Sequence, residues 1–172
     1  MYARAYGPIN QNAFVVPDID LAIKYWTEVM RVGPFFKFPK IEFAEGDYRG
    51  KPHKADFEAA IAYTGELQIE LIKPNGPSIF KEFQDAGRKG VHHFAVFAQD
   101  MPAACGEIER LGGQRLQGGS FADGSSIAYY EMKGPEPSII DIACLKEGPQ
   151  ALFAAIKAAG DGWDGVSKLM NF

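Results

Sequence analysis

The chain contains an internal repeat, which constrains its fold more than any other feature. The apolar segment that begins at Gln11 aligns without a gap with the segment that begins at His93. Each segment leads to an aspartate, Asp18 or Asp100, that is placed to cap a helix. The pattern predicts a duplicated strand and helix module with a polar site between the two halves.

Each half is predicted to contain one helix and four strands. Apolar residues recur at helical spacing after both aspartates, and the helices are expected to end near Gly33 and Gly112. Three β-prone stretches follow each helix. They cover residues 35–43, 55–64 and 67–73 in the first half, and 114–118, 126–132 and 138–145 in the second. Each half therefore reads βαβββ.

The length of the chain favours one domain built from two halves. A chain of 172 residues with 47% hydrophobic content can bury a sizeable core but falls short of two ordinary domains. We expect a first module at about 8–74, a connector at 75–89, a second module at about 90–146 and a helical tail at 147–172, docked on the domain as a cap. The charged loop 45–54, which contains His53, is expected to be the least regular part of the first half, with a surface role for the histidine.

Charge and composition point to a small-molecule partner. The net charge of -4 and the absence of a Lys and Arg cluster argue against nucleic-acid binding. No apolar run is long enough for a membrane span, and no signal peptide is recognisable, so we expect a cytoplasmic protein with no membrane partner. Cys105 and Cys144 have no spacing typical of zinc ligands or redox pairs, and both are expected to be reduced.

Two carboxylates stand inside strands that are otherwise aliphatic. Glu70 and Asp141 occupy equivalent places in the last strand of each half. Burying a carboxylate costs several kcal/mol unless it is paired or bound to a metal. Taken singly, Gln11 could be a buried amide and Glu70 could pair with a basic residue across the sheet. Together with His93, the set indicates a metal or polar ligand site, whereas His92 points to the opposite face and is expected to pack beside a helix.

At this point the sequence resembles the vicinal oxygen chelate superfamily, which includes glyoxalase I, methylmalonyl-CoA epimerase, extradiol dioxygenases and the bleomycin-resistance proteins. The resemblance covers residues 8–146, and the segments 90–93 and 69–74 are most similar to the epimerase branch. It implies an α+β fold in which two βαβββ modules form a half-barrel around a central cavity. It also implies four metal ligands, which would be Gln11, Glu70, His93 and Asp141 here.

The implied ligand set departs from the epimerase pattern in two places. Epimerases carry histidine where this chain has Gln11, although one type of glyoxalase I carries glutamine there. The fourth ligand is usually glutamate, whereas this chain has the shorter Asp141. One imidazole and three oxygen donors suit Mg, Mn, Co, Ni or Zn better than a soft metal.

This donor set predicts an isomerase, epimerase or lyase that removes a proton next to a metal-bound carbonyl of a small acid, ketone or thioester. Asp141 is our first assignment for the catalytic base and Glu70 the second. The alternative is a non-catalytic binding protein for a hydrophobic or aromatic molecule, as in the bleomycin-resistance branch. Extradiol cleavage ranks third, because Gln11 removes one of the two histidines that those dioxygenases use.

Aromatic residues are expected to form the wall of the cavity. Tyr129 and Tyr130 alternate along a strand, so only one of them can face it. The remaining candidates are Phe35, Phe36, Phe38, Phe43, Phe57, Phe97 and Phe121. A CoA substrate would require basic residues at the rim, for which the candidates are Lys37, Lys40, Arg49, Lys51 and Lys54. Members of the superfamily commonly dimerise, and we expect a homodimer.

Overall fold

A computed structural model describes residues 6–134 and 138–167, and the backbone of residues 169–170. Its helices are α1 (Ile19–Glu28), α2 (Ile79–Asp85), α3 (Met101–Arg110) and α4 (Glu147–Asp161). Its strands are β1 (Ile9–Val15), β2 (Phe35–Glu42), β3 (Glu45–Tyr48), β4 (Lys51–Pro52), β5 (Asp56–Thr64), β6 (Leu67–Pro74), β7 (Val91–Phe97), β8 (Gln114–Ser120), β9 (Ser126–Met132), β10 (Ser138–Cys144) and β11 (Leu169–Met170).

The repeated aspartates cap the repeated helices. Asp18 Oδ1 accepts a hydrogen bond from the backbone of Leu21 at 2.9 Å, and Asp100 Oδ1 accepts one from Ala103 at the same distance. Both contacts satisfy amide groups that the first turn of a helix leaves without partners. Helix α3 ends before Gly112, whose φ of 88° gives the expected glycine cap. Helix α1 ends at Glu28, earlier than expected, because Arg31 turns the chain with a φ of 58°.

The strands form one sheet in which each module contributes a block of four. The order is β11-β2-β5-β6-β1-β7-β10-β9-β8-β3-β4. Strands β1 and β7 are neighbours and run antiparallel, so the two modules meet along the repeated segments. The parallel partners of these strands are β6 and β10, which carry the two buried carboxylates. The predicted α+β fold of paired βαβββ modules is confirmed.

The charged loop 45–54 is not irregular, contrary to our expectation. It forms the β3 and β4 hairpin, whose turn residues Arg49 and Gly50 both have positive φ, as a two-residue type I′ turn requires. Strand β3 pairs with β8 of the second module, whereas β2 lies near the other end of the sheet. Only Phe43 and Ala44 connect β2 to β3, and two residues span roughly 10 Å at most. The sheet must therefore curl until its two ends come together.

The curled sheet has helices on its outer face and the site on its inner face. Helix α1 packs through Ile19 and Ile23, and helix α3 through Ala104 and Ile108. Helix α4 instead packs on the inner side, where Ile156 is fully buried against Phe36 and Ile61. Among the residues described here, no helix is long and apolar enough to cross a membrane.

Candidate functional site

Two small residues make room for the four predicted ligands. Ala13 lies between Glu70 and His93 in the register of β6, β1 and β7. Ala95 lies in the same way between Gln11 and Asp141. Both alanines are fully buried. Only the methyl group of an alanine lies between the two longer side chains of each pair. The curl of the sheet can therefore turn these two side chains towards one another.

The structure brings His93 and both carboxylates together. The Nε2 atom of His93 lies 3.7 Å from Oε2 of Glu70 and 4.0 Å from Oδ2 of Asp141. His93 is 0% exposed, and the other three predicted ligands are also buried. Gln11, Glu70 and Asp141 line one cavity. The two carboxylates therefore reach the same imidazole from different modules.

A chain of amide hydrogen bonds orients Gln11. Its Nε2 donates to Oε1 of Gln68, and Nε2 of Gln68 donates to the hydroxyl of Tyr63 at 2.8 Å. The Oε1 atom of Gln11 is buried and has no hydrogen-bond partner among the described residues. The side-chain oxygen of Gln11 is therefore available to bind a ligand. We did not identify Gln68 as a site residue, although a polar residue two positions before Glu70 shares its face of the strand and was the available signal.

A second chain orients His93 through His92. The Nε2 atom of His92 lies 3.3 Å from the carbonyl oxygen of Ile79, which can only accept, so this nitrogen carries the proton. The Nδ1 atom of His92 is then an acceptor, and it lies 2.9 Å from Nδ1 of His93. The proton of His93 must therefore be on Nδ1. Its Nε2 carries a lone pair and has no hydrogen-bond partner in the described part of the chain.

The expectation for His92 was incomplete. Its ring does pack beside a helix, with centroids 5.2 Å from Phe80 and 5.0 Å from Phe83 of α2. The sequence pattern did not indicate its hydrogen bond to His93. Burial lowers the pKa of His92 to about 4, so the ring is neutral at physiological pH and keeps its acceptor.

Burial dominates the electrostatics of the carboxylates. It raises the pKa of Glu70 to about 8. Burial and, second, the charge of Glu70 raise the pKa of Asp141 well above its ordinary value. Burial also holds the pKa of His93 well below its ordinary value. The site therefore disfavours every charge that its own residues would carry, and it needs protons or a cation to neutralise the carboxylates.

The donor chemistry fits a divalent ion. Among the four predicted ligands, the buried atoms that find no hydrogen-bond partner in the described residues are all acceptors: Oε1 of Gln11, Nε2 of His93 and Oδ1 of Asp141. Two ligands that are each about 2.1 Å from one ion lie about 3.0 to 4.2 Å apart, depending on the angle between them. The two distances from His93 fall within that range. Among the described residues, no three His, Cys, Asp or Glu side chains are already placed to hold one metal ion. Binding an ion here would therefore require the carboxylates to rotate.

The cavity beside these residues has apolar walls. Its volume is about 280 Å³. Tyr129, rather than Tyr130, faces it, and lies opposite Asp141 in the register of β9 and β10. Tyr130 donates instead to Glu109 of α3 at 2.8 Å. The aromatic wall consists of Phe38, Phe57, Phe97, Phe121, Tyr129 and Phe153.

Several predicted wall and rim residues lie elsewhere. Phe35 packs beneath α1, Phe36 packs beside α4, and Phe43 belongs to the core. The described residues that line the cavity include no Lys or Arg, so the five basic residues considered for a CoA rim are not part of it. His53 is also remote from the cavity, and its Nε2 lies 2.8 Å from the carbonyl oxygen of Pro77.

Comparison with known proteins gives matches in both sequence and structure. The family model of the Glyoxalase/Bleomycin resistance protein/Dioxygenase superfamily matches residues 10–129. A 2-epi-5-epi-valiolone epimerase of an Actinomyces species is 26% identical over 115 residues, which are 64% of this chain and 62% of the relative. The match therefore spans less than two thirds of the length of that relative.

The similar solved structures include two bacterial methylmalonyl-CoA epimerases. The Mycobacterium tuberculosis enzyme has a TM-score of 0.59 and 18% identity, over 88% of this chain and 96% of that chain. A Streptomyces coelicolor enzyme in complex with 2-nitronate-propionyl-CoA has a TM-score of 0.55 and 15% identity, over 83% of this chain and 96% of that chain. At these identities the likeness is one of fold alone.

Proposed function

Since the chain belongs to the Glyoxalase/Bleomycin resistance protein/Dioxygenase superfamily, we propose that it is a divalent-metal-dependent epimerase or isomerase that moves a proton next to a carbonyl group. The observation that carries the proposal is the group of buried acceptor atoms, on Gln11, His93 and Asp141, for which the described part of the chain supplies no donor. Such a group is stable only beside protons or a cation. The epimerase names of the sequence relative and of the similar structures also support it.

The ligands in this proposal are Gln11 Oε1, His93 Nε2 and the carboxylates of Glu70 and Asp141. A bound Mg, Mn, Co, Ni or Zn ion would stabilise the negative charge that develops on the carbonyl oxygen when the α-proton leaves. The hydrogen-bond chains through Gln68 and His92 hold two of the ligand atoms with their lone pairs free. The apolar wall excludes water from the reacting carbon.

The carboxylates are the groups that transfer the proton. Asp141 remains our first assignment for the base, because its Oδ1 has no hydrogen-bond partner among the described residues. Glu70 is the second assignment, because its carboxylate lines the same cavity from the other module. Epimerisation requires a proton to leave one face of a carbon and return to the other. Two carboxylates from different modules suit that requirement.

Metal content tests the ligand set. Wild-type protein purified without chelator and equilibrated with Mn or Zn is expected to retain one ion per chain, measured by mass spectrometry of the metal. The His93→Ala variant should lose it, because the single nitrogen donor is gone. His53→Ala is the matched control and should retain the ion. Equal metal content in all three proteins, or none in the wild type, would refute the assignment.

Proton exchange tests the reaction. Ketones and thioesters with an acidic α-proton are incubated with the metal-loaded protein in deuterated water, and the loss of the α-proton signal is followed by NMR. Exchange is expected with the wild type and should fall at least about 100-fold in Asp141→Asn or Glu70→Gln, whichever is the base. Unchanged exchange in both variants would overturn the assignment of the carboxylates.

A binding protein is the second candidate, and the aromatic wall of the cavity favours it. On this reading the carboxylates stay protonated and Glu70 or Asp141 donates to His93. Stoichiometric binding of an aromatic molecule with neither bound metal nor proton exchange would support this candidate and exclude the first.

A further inference from the structure

Helix α4 forms the roof of the cavity. Leu152 and Phe153 line the cavity, while Ile156 anchors the helix on the inner face of the sheet. The ring of Phe153 lies 5.9 Å from the ring of Phe97 in β7, measured between centroids. The helix therefore completes the wall with apolar side chains, opposite a polar floor formed by Gln11, Glu70 and Asp141.

The buried polar side chains of the cavity lie together at its floor. Asp123 and Ser125 also line it, and they hydrogen-bond to one another and to the backbone. Asp123 accepts from the backbone and hydroxyl of Ser125 at 2.9 and 3.1 Å, and Ser125 Oγ accepts from the backbone of Lys146 at 3.0 Å. A ligand that fills the cavity meets buried hydrogen-bonding groups at Gln11, Glu70 and Asp141, the exposed carboxylate of Asp123, and mainly apolar surface elsewhere.

Three basic residues of the first module that could bind a phosphate are paired with carboxylates. Lys37 pairs with Asp20 at 2.7 Å, and Lys40 pairs with Glu42 at 3.0 Å. Arg49 pairs with Glu82, at 3.1 Å from its Nε. Phosphate recognition depends on such charges or on helix N-termini that face the ligand. Three of the five basic residues considered for a CoA rim are therefore paired with carboxylates, and the described residues that line the cavity include no Lys or Arg.

The volume of the cavity indicates how much of a ligand it can enclose. At about 280 Å³ it is at the lower end of ligand pockets, which run from about 300 to 1,000 Å³. At the packing density of protein interiors, it holds roughly a dozen non-hydrogen atoms. If the carbonyl group of such a molecule lies at the floor, the rest of the molecule contacts the aromatic and aliphatic side chains of the wall.

We propose that the ligand of this site is a small carbonyl compound with an uncharged aryl or branched alkyl body, held beneath α4, rather than a phosphate-bearing thioester or a polyhydroxylated ketone. This inference rests on the proposed function, which supplies the carbonyl group as the reacting centre. It deepens that function by naming the class of substrate.

Binding of three probes to the metal-loaded protein tests the inference. Phenylacetone represents the aryl ketones, methylmalonyl-CoA the phosphate-bearing thioesters, and scyllo-inosose the polyhydroxylated ketones. Isothermal titration calorimetry is expected to give phenylacetone the tightest binding, by at least about tenfold over the other two. Tighter binding of methylmalonyl-CoA or scyllo-inosose would overturn the inference.

Variants of α4 test whether this helix contributes to ligand binding. Phe153→Ala should weaken phenylacetone binding about tenfold, since it removes one aromatic wall. Phe153→Leu keeps most of the volume and should restore part of the affinity, which also guards against a variant that fails to fold. Leu21→Ala, on the exposed face of α1, is the control and should bind like the wild type. Unchanged affinity in Phe153→Ala would contradict the role of α4.

Proton exchange separates this inference from the proposed function. If phenylacetone binds as expected but its α-protons do not exchange, the class of ligand stands and the enzymatic function fails. If exchange occurs only with methylmalonyl-CoA or scyllo-inosose, the enzymatic function stands and the class of ligand is wrong.

Discussion

The buried carboxylate of Glu70 should make the metal-free protein less stable as pH rises. Its pKa is raised from 4.5 to about 8 by burial, so the folded protein holds a proton that the unfolded chain has released. The contribution of Glu70 to the free energy of unfolding is therefore fully present below pH 4.5, and it falls as pH rises towards the folded pKa. The linkage relation gives a loss of about 2.5 kcal/mol between pH 5 and pH 7, and about 5 kcal/mol in total, as an order of magnitude.

Glu70→Gln removes this dependence, because an amide has the shape of the protonated carboxyl and does not titrate. Urea unfolding with chelator present measures the free energy of unfolding of both proteins from pH 5 to pH 8. The difference between them should change by about 2.5 kcal/mol between pH 5 and pH 7, in favour of the variant at the higher pH. Asp141 is present in both proteins, but Glu70→Gln also removes the charge that raises its pKa, so the difference reports Glu70 together with its coupling to Asp141.

A matched control is Glu66→Gln, which makes the same chemical change at a side chain that is 91% exposed. Its pH curve should run parallel to that of the wild type. Saturating Mn should flatten the wild-type curve, because the ion replaces the proton as the neutralising charge. Parallel curves for Glu70→Gln and wild type without metal would refute the reasoning.

Further predictions concern the orientation of the imidazole, the space between the polar residues and the helix caps. His92→Phe keeps the ring packed against α2 but removes the acceptor, so nitrogen NMR should detect both tautomers of His93 and metal affinity should fall about 10- to 100-fold. Ala95→Val fills the space between two of the proposed ligands, and metal binding measured by calorimetry should be lost while thermal unfolding stays cooperative. Asp18→Ala and Asp100→Ala should each lower the free energy of unfolding by about 1 kcal/mol in urea titrations, and similar costs are expected because the two caps have the same geometry.

The duplicated pattern predicted the two βαβββ modules, and the resemblance predicted the half-barrel that they form and the four residues proposed as ligands. Alternation along β1 and β7 places Gln11 and His93 on one face, and the repeat places Glu70 and Asp141 in equivalent strands. These features depend on local periodicity, which a single sequence displays directly.

Other parts of the site depend on distant pairing that local sequence does not encode. The bond between His92 and His93 joins residues whose side chains would ordinarily leave a strand on opposite faces. The place of Phe153 depends on which face of the sheet receives α4. The pairing of β3 with β8 joins a charged segment of one module to the other module, and no period in the sequence specifies that partner.

The way in which the sheet ends has a consequence for self-association. Its outermost strands, β4 and β11, are two residues long, and β4 consists of Lys51 and Pro52. A lysine and a proline on a short border offer few free backbone groups to a strand from another molecule. The hairpin that draws the sheet closed thus also protects β8 from pairing with a foreign chain. Extension of the sheet from one molecule to the next is disfavoured, and contacts between copies are expected to use helical faces instead.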